Sequence, residues 1–120
     1  MNLNDEISPP VGPLAAAVKR VCSPDSVYWA FRQGDEATFQ DEQEIEVRLD
    51  IDPQSIATFV TPAGWRVAHV KPNDGMLFLR RVQPLTDEAL KVMFAEVLTL
   101  AVANNGRFHS WLHGSELPDW

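Results

Sequence analysis

Between residues 45 and 51 apolar and charged side chains alternate without a break. Ile45, Val47, Leu49 and Ile51 interleave with Glu46, Arg48 and Asp50. A period of two predicts a half-buried strand with one wet, charged face. Asp52-Pro53 follows with no spacer, and an Asp cap with Pro at the first helical position starts a helix. Ile56, Phe59 and Val60 give that helix, expected over 53–60, its apolar stripe. Pro62 and Gly64 stop it after about two turns. Next come two apolar-rich runs, 65–71 and 76–82, around Pro72-Asn73-Asp74-Gly75. An Asn-Asp-Gly turn between such runs predicts a hairpin. Thr86 then caps the longest helix, 86–104. Asp87 and Glu88 sit in its first turn, and Leu90, Met93, Phe94, Val97, Leu98 and Ala101 lie on one face. Asn104-Asn105-Gly106 ends it, and Arg107 to His113 reads as the last strand. The order from residue 44 is strand, helix, strand, strand, helix, strand. It predicts an α+β fold, a ferredoxin-like βαββαβ two-layer sandwich.

The residues before this unit predict an additional N-terminal helix and strand. Residues 1–12, ending in Pro9-Pro10-Val11-Gly12, read as a flexible tail. Pro13 to about Cys22 reads as a helix, and Val27 to Arg32, rich in β-formers, as an extra strand. Gly34 to Glu44 is polar and acidic and reads as a loop. A chain of 120 residues fits one domain, here 13–120.

Charge narrows the functional classes. Ten Lys and Arg against 17 Asp and Glu give a net charge of −7. Phosphate backbones and anionic lipid repel such a chain, so direct nucleic-acid and membrane partners are not expected. A basic surface on another protein suits it better. No apolar run approaches the roughly 18 residues of a membrane span. The first ten residues lack the basic and apolar regions of a secretory signal. With the single Cys22, this makes a soluble, cytoplasmic protein the expectation.

Few residues combine into chemistry. His69, His109 and His113 are the only histidines, and no Cys or carboxylate stands at a standard ligand spacing beside them. No metal or other cofactor is expected. His109 and Ser110 are neighbours on a strand, so alternation sends their side chains to opposite faces and denies them a direct contact. Arg107, His109 and Ser110 are the candidates under an enzymatic reading; the main expectation is a protein that is not an enzyme. Lys19 and Arg20 lie near Cys22 and would lower its pKa, against the plainer reading of a buried, inert thiol. The clearest surface feature is acidic. Asp35, Glu36, Asp41, Glu42, Glu44 and Glu46 are the candidate partner-binding residues. Arg66, Lys71, Arg80, Arg81 and Lys91 gather later in the chain, which suggests a bipolar molecule. On the final strand, simple alternation puts Phe108 and Leu112 on one face and His109 and Trp111 on the other. Trp111 on an open sheet face is a second candidate, as a hot spot or a homodimer seam.

Three segments carry a likeness to a known family: Ala63-Gly64-Trp65-Arg66-Val67; Leu98-Thr99-Leu100-Ala101 followed by Asn105-Gly106; and Arg107-Phe108-His109-Ser110-Trp111. Over roughly residues 44–113 the chain resembles the RraB-like family, regulators of ribonuclease E activity of type B. It places His109-Ser110 where that family usually has Asp-Gly. The resemblance implies a bacterial, non-enzymatic acidic regulator that binds another protein, such as an inhibitor of a ribonuclease or other larger enzyme. An immunity protein that neutralises a bacterial toxin, or a small-molecule-sensing homodimer, are the alternatives.

Overall fold

The alternating segment becomes the middle of a sheet. Strand β1 (Gln43–Ile51) pairs antiparallel with β3 (Met76–Gln83) on one side and with β4 (Gly106–His113) on the other. Strand β2 (Arg66–Lys71) pairs antiparallel with β3, giving the order β2-β3-β1-β4. The computed structural model describes residues 12–120. The tail expected over 1–12 lies, apart from Gly12, outside the described residues.

The β2–β3 hairpin forms as the Asn-Asp-Gly turn predicts. Gly75 has φ 67°, a conformation that favours a residue without a Cβ. A Cβ there would stand 2.7 Å from the Ile51 carbonyl oxygen. The Ile51 N–H donates to the Gly75 oxygen at 2.7 Å, so the turn is tied to the end of β1.

Among the described residues the long α-helices cover one face of the sheet. Helix α1 (Pro13–Val21) packs on α3 (Asp87–Ala103). Thr86 caps α3, its Oγ1 accepting from the Ala89 N–H at 3.2 Å. Leu90, Met93, Phe94, Val97 and Ala101 of α3 are buried in one cluster with Ile45, Val47, Leu49, Leu77, Leu79 and Trp111. This is an α+β architecture with a four-stranded antiparallel sheet. The helix expected over 53–60 is a single turn, α2 (Pro53–Ala57). Thr58 leaves the helical region at φ −109°, yet Ile56 and Phe59 still pack against the core.

The extra N-terminal strand does not form. Val27–Phe31 is a 3₁₀ helix, with Ser26 Oγ accepting from the Tyr28 N–H at 3.3 Å. Its aromatic residues explain the difference. Tyr28, Trp29 and Phe31 all pack against the core, whereas a strand would send neighbours to opposite faces. The tight 3₁₀ turn instead brings residues three apart together. Tyr28 and Phe31 have ring centroids 6.2 Å apart, and Tyr28 stacks on Phe108 at 4.4 Å.

Two bulges re-aim the outer strands. In β4, Arg48 pairs with Ser110 but Leu49 pairs with Phe108, so His109 is the extra residue. In β2, Val67 pairs with Leu79 but His69 pairs with Phe78, so Ala68 is extra. Each extra residue inverts the facing of those beyond it.

Candidate functional site

The six acidic residues picked out in the sequence divide into two groups. Asp35, Glu36, Asp41 and Glu42 are exposed, and none of them enters an ion pair among the described residues. The loop that carries them is anchored. A 3₁₀ turn spans Glu36–Thr38, with Thr38 Oγ1 donating to the Asp35 carbonyl at 2.7 Å. Phe39 packs against the core, the Arg32 guanidinium lies 4.2 Å from its ring centroid, and its carbonyl accepts from the Leu85 N–H at 2.7 Å.

The other two are held inside the protein's own charge network. Glu44 is half-buried and pairs with Arg66 at 3.2 Å and Arg80 at 3.4 Å. Glu46, expected on a wet face, is fully buried. Its Oε1 accepts from Arg80 Nε at 2.9 Å and from Trp120 Nε1 at 2.8 Å; its Oε2 accepts from Arg48 Nε at 3.0 Å. A buried carboxylate needs this degree of pairing. Glu46 is therefore unavailable to a basic partner. Three of the five residues in the expected basic cluster are paired internally, while Lys71 and Lys91 enter no ion pair among the described residues. Arg66 and Arg80 serve Glu44 and Glu46, and Arg81 forms a two-pronged pair with Glu96 while covering the Trp65 ring at 4.2 Å.

Trp111 is also removed from the surface. The bulge at His109 turns it to the helix side, where it is fully buried, meets Phe94 edge-on and donates to the Tyr28 carbonyl at 2.8 Å. It shares that side with Phe108, while Ser110 and Leu112 face the open side opposite Arg48 and Glu46. The same bulge overturns the expected separation of His109 and Ser110: His109 Nδ1 lies 2.8 Å from Ser110 Oγ.

The three histidines take separate positions. His69 lies on the open face, His109 at the exposed bulge, and His113 on the helix side opposite Ile45. Among the described residues no group of three or more His, Cys, Asp or Glu is placed to hold a metal ion. His113 Nε2 accepts from the Gln33 N–H at 2.9 Å, and its Nδ1 lies 3.1 Å from Gln43 Oε1. Burial holds its pKa below the usual imidazole value, and nearby Glu116 partly opposes this. Cys22 fits the plainer reading of an inert thiol and not the activated one. Burial pushes its thiol up, Lys91 offsets this only in part, and the sulfur faces the Lys91 carbonyl at 4.0 Å. A raised thiol pKa makes a weaker nucleophile at neutral pH.

Sequence reasoning missed Trp120. Residues 114–120 read as a plain tail. In the structure they cross the open sheet face, and Trp120 stacks on His69 at 4.0 Å with the rings 9° apart. An apolar residue in a polar tail, facing an uncovered sheet, was the available signal. A further feature is an apolar groove of about 1130 Å³ between α1, the 23–28 segment and the start of β4.

These features define a small α+β protein with an anchored acidic loop and a strapped sheet face. No family model matches the chain, and no curated protein or solved structure is significantly similar to it. No helix among the described residues is long and apolar enough to cross a membrane.

Proposed function

We propose that this protein is a non-catalytic regulator that binds a basic surface on another protein through Asp35, Glu36, Asp41 and Glu42. One observation carries the reading: these four carboxylates are exposed and, among the described residues, free of ion pairs on a loop fixed by Phe39. Clustered carboxylates in that state project a field over about 8 Å at physiological salt. A partner of opposite charge is captured faster, and a pre-ordered loop loses little entropy on binding. The net charge of −7 supports the same reading. So does the RraB-like resemblance, which we carry forward as part of this proposal together with a bacterial, cytoplasmic setting. We also read the sandwich as ferredoxin-like. The strand order with antiparallel neighbours supports that, although the first crossover helix is reduced to one turn.

The test is a comparison of wild type with a variant in which Asp35, Glu36, Asp41 and Glu42 are all Lys. Glu44 and Glu46 stay, because replacing them would break internal ion pairs. Tagged wild-type protein is used to isolate a stoichiometric partner, and association rates are then measured at two salt concentrations. The expected result is an on-rate that falls at least about tenfold in the variant, with wild-type binding weakened by salt. Equal rates with no salt response would show that the loop is only a solvated surface.

A further inference from the structure

The open face of a sheet is normally wet, with its charges solvated. Here its centre holds a fully buried carboxylate, Glu46, beside an arginine whose side chain is 6% exposed, Arg80. The segment after β4 covers them. Gly114 turns the chain at φ 66°, Leu117 and Pro118 lie half-buried, and Trp120 lands on the face. The indole stacks on His69, meets Phe78 edge-on at 5.2 Å and donates its N–H to Glu46 Oε1 at 2.8 Å. Two residues earlier, the Pro118 carbonyl accepts from Arg80 Nη2 at 2.6 Å.

Seat and occupant differ in how they are held. Glu46, Phe78 and Arg80 sit on the two central strands, and their positions are set by sheet pairing. Glu46 also keeps two arginine partners without the indole. The strap is held more lightly: outside the seat it has a 3₁₀ turn at Gly114–Glu116 and one side-chain tie among the described residues, Gln33 Nε2 donating to Glu116 Oε1. Gly114, Ser115, Glu116 and Asp119 are exposed, none of residues 114–120 belongs to the core, and Trp120 itself is 41% exposed. Segments with few buried contacts open far more readily than the core. Opening would uncover a flat aromatic face, an acceptor carboxylate and a guanidinium donor at a fixed spacing.

We propose that the seat of Trp120 is a peptide-binding site that the chain's own strap occupies in cis. Its external ligand is a segment of another protein presenting a tryptophan with a free backbone carbonyl two residues before it. The chemistry is specific on three counts. Stacking on His69 requires a planar ring, Glu46 requires an N–H donor on that ring, and Arg80 requires the carbonyl. The strap competes as a tethered ligand at an effective concentration of roughly millimolar. The intact chain therefore binds its partner weakly until the strap lifts. This inference uses none of the four exposed acids and stands or falls apart from the acidic-loop reading.

The test uses the full chain carrying Trp120→Ala and a synthetic peptide with the sequence of residues 114–120. Amide and imidazole chemical shifts of Glu46, His69, Phe78 and Arg80 report on the seat. The peptide should bind the variant saturably and at least about tenfold more tightly than it binds wild type, where the strap competes. Adding His69→Ala to the variant should abolish binding, and a peptide with Phe in place of the tryptophan should bind several-fold more weakly. A folded variant with no saturable shift, or equal affinity in both chains, would overturn the proposal. Wild type gives an independent check through hydrogen exchange of the Trp120 indole N–H. Exchange well ahead of global unfolding is expected, and exchange only with global unfolding would overturn it. Sedimentation separates the remaining occupant. A wild-type dimer that Trp120→Ala converts to monomer would mean strap exchange between two copies of this chain, and no foreign peptide.

Discussion

His113 shows how one side chain can tie stability to pH. Its Nε2 accepts an N–H from Gln33, so that hydrogen bond exists only in the neutral ring. Burial lowers its folded-state pKa below the 6.5 of a free imidazole. Above that value the ring is neutral in both states and its contribution to stability is complete. As pH falls through 6.5 the unfolded chain takes up a proton that the folded chain refuses, so stability declines toward acid. One proton limits the slope to about 1.4 kcal/mol per pH unit. Denaturant unfolding between pH 7 and 5 should show wild type losing more stability than His113→Gln; parallel curves would show that His113 titrates alike in both states. Phe94 provides a second test at this scale. It is fully buried and contacts Trp29 edge-on at 5.2 Å. Phe94→Ala should cost about 3–5 kcal/mol in denaturant unfolding. A loss below about 1 kcal/mol would match a surface site and contradict the burial.

Among the elements, β4 departs furthest from its sequence pattern. Alternation alone places Trp111 opposite to Phe108, and the bulge at His109 puts them on one side. No residue in Arg107-Phe108-His109-Ser110-Trp111 announces the bulge locally. The cause is packing: both large aromatics are buried in the helix-side core, Phe108 under Tyr28 and Trp111 against Phe94. The start of the strand is set by a close approach. A Cβ on Gly106 would lie 2.1 Å from the Asp50 carbonyl oxygen. The neighbour is backbone inside the sheet and cannot swing away. Gly106→Ala should therefore cost about 1–3 kcal/mol, read as a lowered midpoint in urea with unchanged slope. A neutral result would mean that β1 and β4 are less closely apposed at this end. Thr86→Ala, which removes the cap on α3, should cost about 1 kcal/mol by the same measurement.

Over the whole molecule, charge is arranged unevenly. The sequence suggests separate acidic and basic regions, but folding brings Arg66, Arg80 and Arg81 onto Glu44, Glu46 and Glu96. Among the described residues, what remains unpaired of the acidic stretch is the loop of Asp35, Glu36, Asp41 and Glu42. Substituting these four by Lys should leave stability within about 0.5 kcal/mol per site, since each is a surface position. A cooperative unfolding curve close to wild type would confirm that any binding loss comes from charge. A large loss of stability would instead assign the loop a structural role.

The sequence by itself determined the elements whose signal is local. The alternation at 45–51, the Asn-Asp-Gly turn and the Thr86-capped helix each specify their conformation through neighbouring residues, and each forms at its expected place. Only the tertiary structure decided the rest. Val27–Phe31 has strand-like composition, but it winds into a 3₁₀ turn because three aromatics must reach one core. Glu46 reads as solvated, but it is buried because Arg48, Arg80 and Trp120 converge on it from residues 2, 34 and 74 positions away. Local periodicity reports which side a residue faces only while the strand runs without a bulge. It carries no information about what later segment will cover that side, and here the covering segment is the strap that ends in Trp120.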